Sequence, residues 1–204
     1  MTGAPMDAID ELAGITPGSP LDTLRRRKPV TRDNAQASFE ALFAPASSGG
    51  MSAVERAAVA AFVAGLHGDE PGKGFYGARL RASGAPDALV TAIEAEAQAG
   101  VGQGPYGHYP AGPLSAEDQP GPAYAVSPAR RDALGGRLCA AFEHAHMLVF
   151  HIRDSAPDAL RRLEGAGWGA DDIVTLSQLV AFLSFQLRAA AGLRALAANP
   201  AEAA

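Results

Sequence analysis

A single cysteine, Cys139, is the only thiol in this 204-residue chain, which excludes an intramolecular disulfide and any Cys-x-x-Cys redox pair within one chain. A lone thiol agrees with a reducing cytoplasm, the compartment expected here. Aromatic residues make up only 6% of the chain and no stretch alternates apolar with polar side chains over a strand's length, so the expected fold class is all-α. Basic clusters are missing apart from Arg25, Arg26, Arg27 and Lys28, and the net charge is −5, so no nucleic-acid partner is expected and that run reads as a solvated face. Residues 1–11 are acidic and lack the positive start and apolar run of a signal peptide. The longest apolar region, 173–187, is interrupted by Ser177, Gln178, Ser184 and Gln186 and closed by Arg188. It reads as too short and too polar to span a bilayer, so no membrane partner is expected either.

What is present is apolar enough, at 48%, for one sizeable core. Residues 1–51 read as an arm and linker, with a short helix at 7–13, a break at Pro17, Gly18 and Pro20, and a second helix at 33–43 that carries Phe39, Leu42 and Phe43. This arm is expected to pack on the main body or on a neighbouring subunit. Ser52 and Glu55 form a capping-box pattern before Val59, Phe62, Val63 and Leu66, which recur at helical spacing. That helix should stop near His67 and Gly68, with a turn at 69–74 and further helices at 75–84 and from Pro86 onward. Residues 99–126 form a connecting loop rich in Gly, Pro and Tyr; a loop of this length is either functional or a surface excursion. Ser127 and Pro128 then open one long helix, or two broken near Phe142, running to His151, followed by a turn at 154–158, a short helix at 159–164 and a last helix at 171–198. The broad apolar face of that last helix predicts a homo-oligomer.

Three of the five histidines fall within 144–151. His144, Met147 and His151 stand three and then four residues apart, one stripe on a helix, while His146 points elsewhere and Glu143 lies one turn behind it. This spacing resembles the active-site signature of the alkylhydroperoxidase D and carboxymuconolactone decarboxylase (CMD) family, in which Cys-x-x-Cys-x-x-x-His follows an acidic residue. His144 and Met147 stand at the two cysteine places and His151 at the histidine place; His146 lies between them, where some members also carry a histidine. Twelve residues before the first cysteine place is Asp132, where the family normally holds glutamate. The chain also matches itself: a shift of about 75 lays Ser52 on Ser127 and Phe75 on Phe150. The resemblance therefore implies an AhpD-like helical fold with two tandem pseudo-repeats, 52–98 degenerate and 127–204 carrying the site.

The resemblance implies catalytic roles for His151, Asp132 and His144, with no cofactor. Neither His144 nor Met147 can form the sulfenic acid or disulfide of a thiol peroxidase. The surviving acid and histidine point to proton transfer on a small molecule, of decarboxylase or lactone type, because an imidazole is the usual general acid or base near neutral pH. The alternatives are that the histidines are hydrogen-bonded core residues, that Glu143 and His146 are a surface pair, or that the chain is a non-catalytic partner of a cysteine-containing homologue. A metal is the weakest option, since His144 and His151 are about 10.5 Å apart along a straight helix at 1.5 Å per residue. Cys139 reads as a small core residue beside Leu138 and Phe142.

Overall fold

The computed structural model describes residues 7–199; the first six residues of the acidic start, and residues 200–204 at the end of the second expected repeat, lie outside that range. Among the described residues the chain forms α1 (Ala8–Ala13), α2 (Pro20–Arg26), α3 (Pro29–Phe43), α4 (Ala53–Leu66), α5 (Glu70–Ala82), α6 (Asp87–Ala99), α7 (Arg131–Phe150), α8 (Pro157–Gly165) and α9 (Ala170–Ala198). No strand is present among them, and one isolated antiparallel bridge joins Gly107 to Gln119. The fold is all-α.

The capping box at Ser52 is made as the sequence requires, with the Glu55 N–H donating to Ser52 Oγ at 3.2 Å and the Ser52 N–H to the Glu55 carboxylate at 2.8 Å. It opens α4, the helix that the core is built around: Ala58, Val59, Phe62 and Val63 are wholly buried, and α4 touches α5, α6, α7 and α9. Gly65 is small for a reason, since a Cβ there would run into Ala97 of α6. On the opposite side Phe62 stacks on Phe142 of α7, ring centroids 4.2 Å apart and nearly parallel. Leu176, Leu179, Leu183 and Leu187 of α9 complete the core with full burial. By length and composition α9 is apolar enough to cross a bilayer, which corrects the reading of 173–187 as too short and too polar; its leucine face is turned to the other helices.

Three local expectations are corrected. The break in α7 lies at Gly135, not Phe142, because Gly135 takes φ 73°, ψ 159°, a conformation open to a residue without a Cβ, while Phe142 is an unbroken helical core residue. The supposed turn at 69–74 is mostly helix: Asp69 caps α5 by accepting the Gly72 N–H at 2.9 Å, which outweighs the helix-breaking tendency of Gly72 and Gly74. Finally, the basic run is only partly a solvated face. Ser19 and Pro20 start α2, and Arg25 is half-buried against Asp7 and Asp10 while Arg32 reaches Asp10 and Asp22. This network ties α1, α2 and α3 together, and Leu12, Ala13 and Ile15 pack with Ala190 and Leu193 of α9, so the arm lies on the chain's own body.

Candidate functional site

The helix that carries the candidate histidines ends at Phe150, and His151 is its C-cap with φ −128°, ψ 34°. The His/Met/His stripe is therefore broken at its last member. His151 Nδ1 lies 3.2 Å from Asp154 Oδ2 and Nε2 lies 3.1 Å from the Pro122 carbonyl. Both partners are acceptors, so only the imidazolium donates to the two at once. Asp154 also accepts the His108 N–H at 3.2 Å. Burial works against ionisation of Asp154, but the hydrogen bonds from His151 and His108 outweigh it and hold its carboxyl below the ordinary range. Arg153 adds a guanidinium 4.0 Å from the Tyr109 ring centroid, and the Tyr106 N–H donates to the Phe150 carbonyl. Residues 151–154 thus fasten the long loop to the end of α7.

Asp132 does not take part in this. It is exposed, sits in the turn of α7 before the Gly135 kink, and the carboxylate that meets His151 is Asp154. Glu143 and His146 are not a surface pair: Glu143 accepts from Arg131 at 2.9 Å and from the Val126 N–H at 3.2 Å, whereas His146 is 4% exposed. His146 donates Nε2–H to the Gly100 carbonyl at 3.0 Å and stacks on Tyr124 with centroids 4.5 Å apart. Burial, with repulsion from His151, pulls its pKa down to about 4 against the pull of the Gly100 carbonyl, so the ring is neutral at pH 7. The Tyr124 hydroxyl in turn donates to Glu96, a wholly buried carboxylate that also takes the Ser127 N–H and Arg130. Cys139 lies near this cluster, buried, with its thiol pKa pushed up mainly by desolvation. A thiol so placed is a poor nucleophile.

His144 is different. Its Nε2 is 3.4 Å from Ser177 Oγ, and that hydroxyl spends its one proton on the Ile173 carbonyl at 2.8 Å. Ser177 can therefore only accept from His144, which makes Nε2 the protonated nitrogen and Nδ1 a bare acceptor. Nδ1 is buried with no partner among the described residues; only Arg79 Nε and Gln186 Nε2 share that condition. Burial, and to a smaller extent Arg162, lowers the His144 pKa, so this lone pair stays available at neutral pH. The ring lines a cleft of about 360 Å³ between α7, α8 and α9, with Met147, Leu148, Pro157 and Ser177 around it.

A second His–Ser pair stands on the same side of α9. His67, the C-cap of α4, has Nε2 3.2 Å from Ser184 Oγ, and Ser184 follows Ser177 by seven residues, two turns along one face. This pair belongs to a cavity of about 670 Å³, roofed by residues 102–105 and sharing Leu148 and Ser177 with the His144 cleft. Burial and then Arg188 push His67 down to about 4, against the opposing pull of Asp69. Sequence reasoning passed over His67, Ser177, Ser184 and Asp154. Only Asp154 carried a local signal, its three-residue spacing from His151. No group of three or more His, Cys, Asp or Glu side chains is arranged to hold a metal ion among the described residues. No family model, curated protein or solved structure matches the chain, so its function has to be read from this geometry.

Proposed function

We propose that this protein is an alkylhydroperoxidase D/CMD-like enzyme in which proton transfer replaces thiol redox chemistry, acting on a small carbonyl acid or lactone with His144 as general base and acid. The observation that carries the reading is the buried, partnerless Nδ1 of His144 at the edge of a cleft. An unmatched buried acceptor costs a fold roughly 1–3 kcal/mol, a cost with no return unless something else meets it. Ser177 fixes the tautomer, and the lowered pKa keeps the ring neutral. For a ligand to reach Nδ1 a lining side chain must turn aside; half-buried Met147, three residues on, is the flexible one. His151, with Asp154, positions the roofing loop, and Asp132 has no part in the reaction. The tandem repeat belongs to the same proposal, supported by the matching order of three helices in α4–α6 and α7–α9.

The test is turnover of a panel of β-keto acids and lactones by the purified chain. His144→Gln should lower the rate roughly 100-fold or more, the lower range for a lost general base, with little change in melting temperature. Cys139→Ser should leave it unaltered. Activity that survives His144→Gln, or that depends on Cys139, sinks the proposal.

A second reading, a subunit that associates with its own copies or with a cysteine-containing homologue, is favoured by Val174 and Phe185. They stand 56% and 49% exposed, three turns apart on the outer side of α9. Light scattering on Phe185→Glu separates the two readings: loss of a multimer without loss of turnover would assign this face to assembly alone.

A further inference from the structure

The large cavity next to the His144 cleft is chemically lopsided. Leu66, Val149 and Val180 supply apolar wall, and Arg188 is the only charged residue of its lining. No acidic side chain lies within ion-pair distance of Arg188 among the described residues. The one carboxylate felt nearby, Asp69, is already engaged by Arg194 and by the Gly72 N–H that it caps. His67, the remaining titratable group of the lining, faces Ser184 and is neutral at pH 7. The cavity therefore offers one permanent positive charge at one end and an uncharged body in which apolar wall alternates with the hydroxyls of Ser177 and Ser184 and the amide of Gln103. At its other end Leu148 and Ser177 are shared with the His144 cleft. From Ser177 to Arg188 is eleven residues of α9, about 16 Å along the axis at 1.5 Å per residue.

Resting on the reading of His144 as the reacting group, we infer that this chamber binds an elongated organic monoanion, a carboxylate on an apolar body that carries a carbonyl or lactone group at its other end, with the carboxylate on Arg188 and that other end delivered towards His144. A guanidinium meets a carboxylate with two parallel N–H donors, and a single cation matches a single charge better than a phosphate dianion. The apolar wall contributes for each methylene buried, at about 0.8 kcal/mol. Substrates of this class would enter from the Arg188 end, since Arg188 is exposed and the roof at 102–105 is held at its far end by Arg153, which donates to the Pro105 carbonyl at 3.3 Å.

Calorimetric titration of the full chain with octanoate, 1-octanol and octyl phosphate tests this. Octanoate should bind at least tenfold more tightly than octanol, with an affinity that falls as salt rises. Arg188→Gln should bring octanoate down to the affinity of octanol and leave octanol unchanged. Ala181→Trp, which fills the chamber from an exposed position on α9, should abolish binding of both. Octanoate that fails to bind, binds no better than octanol, or is indifferent to either variant overturns the inference. Octyl phosphate binding more tightly than octanoate overturns the single-charge assignment. The reading of His144 fails separately, since His144→Gln tests turnover and should leave octanoate affinity within about twofold of the parent.

Discussion

His144 and His146 stand two residues apart on one helix, are 6% and 4% exposed, and are both kept neutral at pH 7 by burial, yet they sit in opposite kinds of surroundings. On the His146 side the partners close on one another: the ring donates to Gly100, Tyr124 stacks on it, and the Tyr124 hydroxyl goes to Glu96, which Arg130 neutralises. His146 lines neither of the two cavities described above. On the His144 side one buried nitrogen is left over, and the ring that carries it lines a cleft. Burial and residue type do not separate a structural histidine from a reactive one; the matching of donors to acceptors does.

The strongest way to break the comparison is to open the closed side. Glu96→Ala removes an acceptor shared by Tyr124, the Ser127 N–H and Arg130, and leaves a half-buried hydroxyl and a half-buried backbone donor without their partner. Arg130 can still turn towards water, being about a third exposed, so the loss should be about 3 kcal/mol, towards the lower end for a broken buried ion pair. Urea denaturation measures it. A loss below about 1 kcal/mol would mean that the closed cluster is not what holds the start of α7 to α6.

Much of the fold was legible in the chain, and the unread parts share a cause. The Ser52–Glu55 box and the last helix were readable because capping and apolar periodicity are local. The Gly135 kink was not, because apolar residues recur on both sides of it, at Leu134 and from Leu138 to Phe142, and hide one residue with positive φ. His144 was visible as a candidate, but its meaning depends on Ser177, 33 residues away, and His67 depends on Ser184, 117 residues away. Along the chain these serines merely interrupted an apolar run; in the fold they sit opposite the histidines. His151 stood out through its spacing from His144 and Met147, whereas the residue that answers it, Asp154, lay in what read as a plain turn.

A smaller effect sharpens the comparison through pH. His146→Leu leaves the Gly100 carbonyl without its donor and should cost roughly 1–3 kcal/mol at pH 7. It should also change the acid response. His67 and His146 fall from 6.5 to about 4 on folding, so between those values the unfolded chain binds protons that the folded chain refuses. Stability of the parent therefore declines as pH drops from 6.5 towards 4, and Asp154, lowered on folding, adds its loss as pH falls further. Melting temperatures recorded from pH 7 to pH 4 should show a shallower decline for His146→Leu than for the parent. An equal slope would assign the acid sensitivity to other groups.

The smallest expected effect is the most decisive. His144→Leu replaces a buried ring that has one unmet acceptor by an apolar side chain of similar burial, and Ser177 keeps its own bond to the Ile173 carbonyl. Removing an unsatisfied polar atom relieves a desolvation penalty of the same order as the packing lost, so stability should stay within about 1 kcal/mol of the parent. The acid decline should ease too, since His144 is also lowered on folding. A chain that folds as well without this imidazole keeps it for something other than folding. If His144→Leu instead melts as low as His146→Leu, the two histidines are alike after all, His144 is a core residue, and the general-base role falls with it.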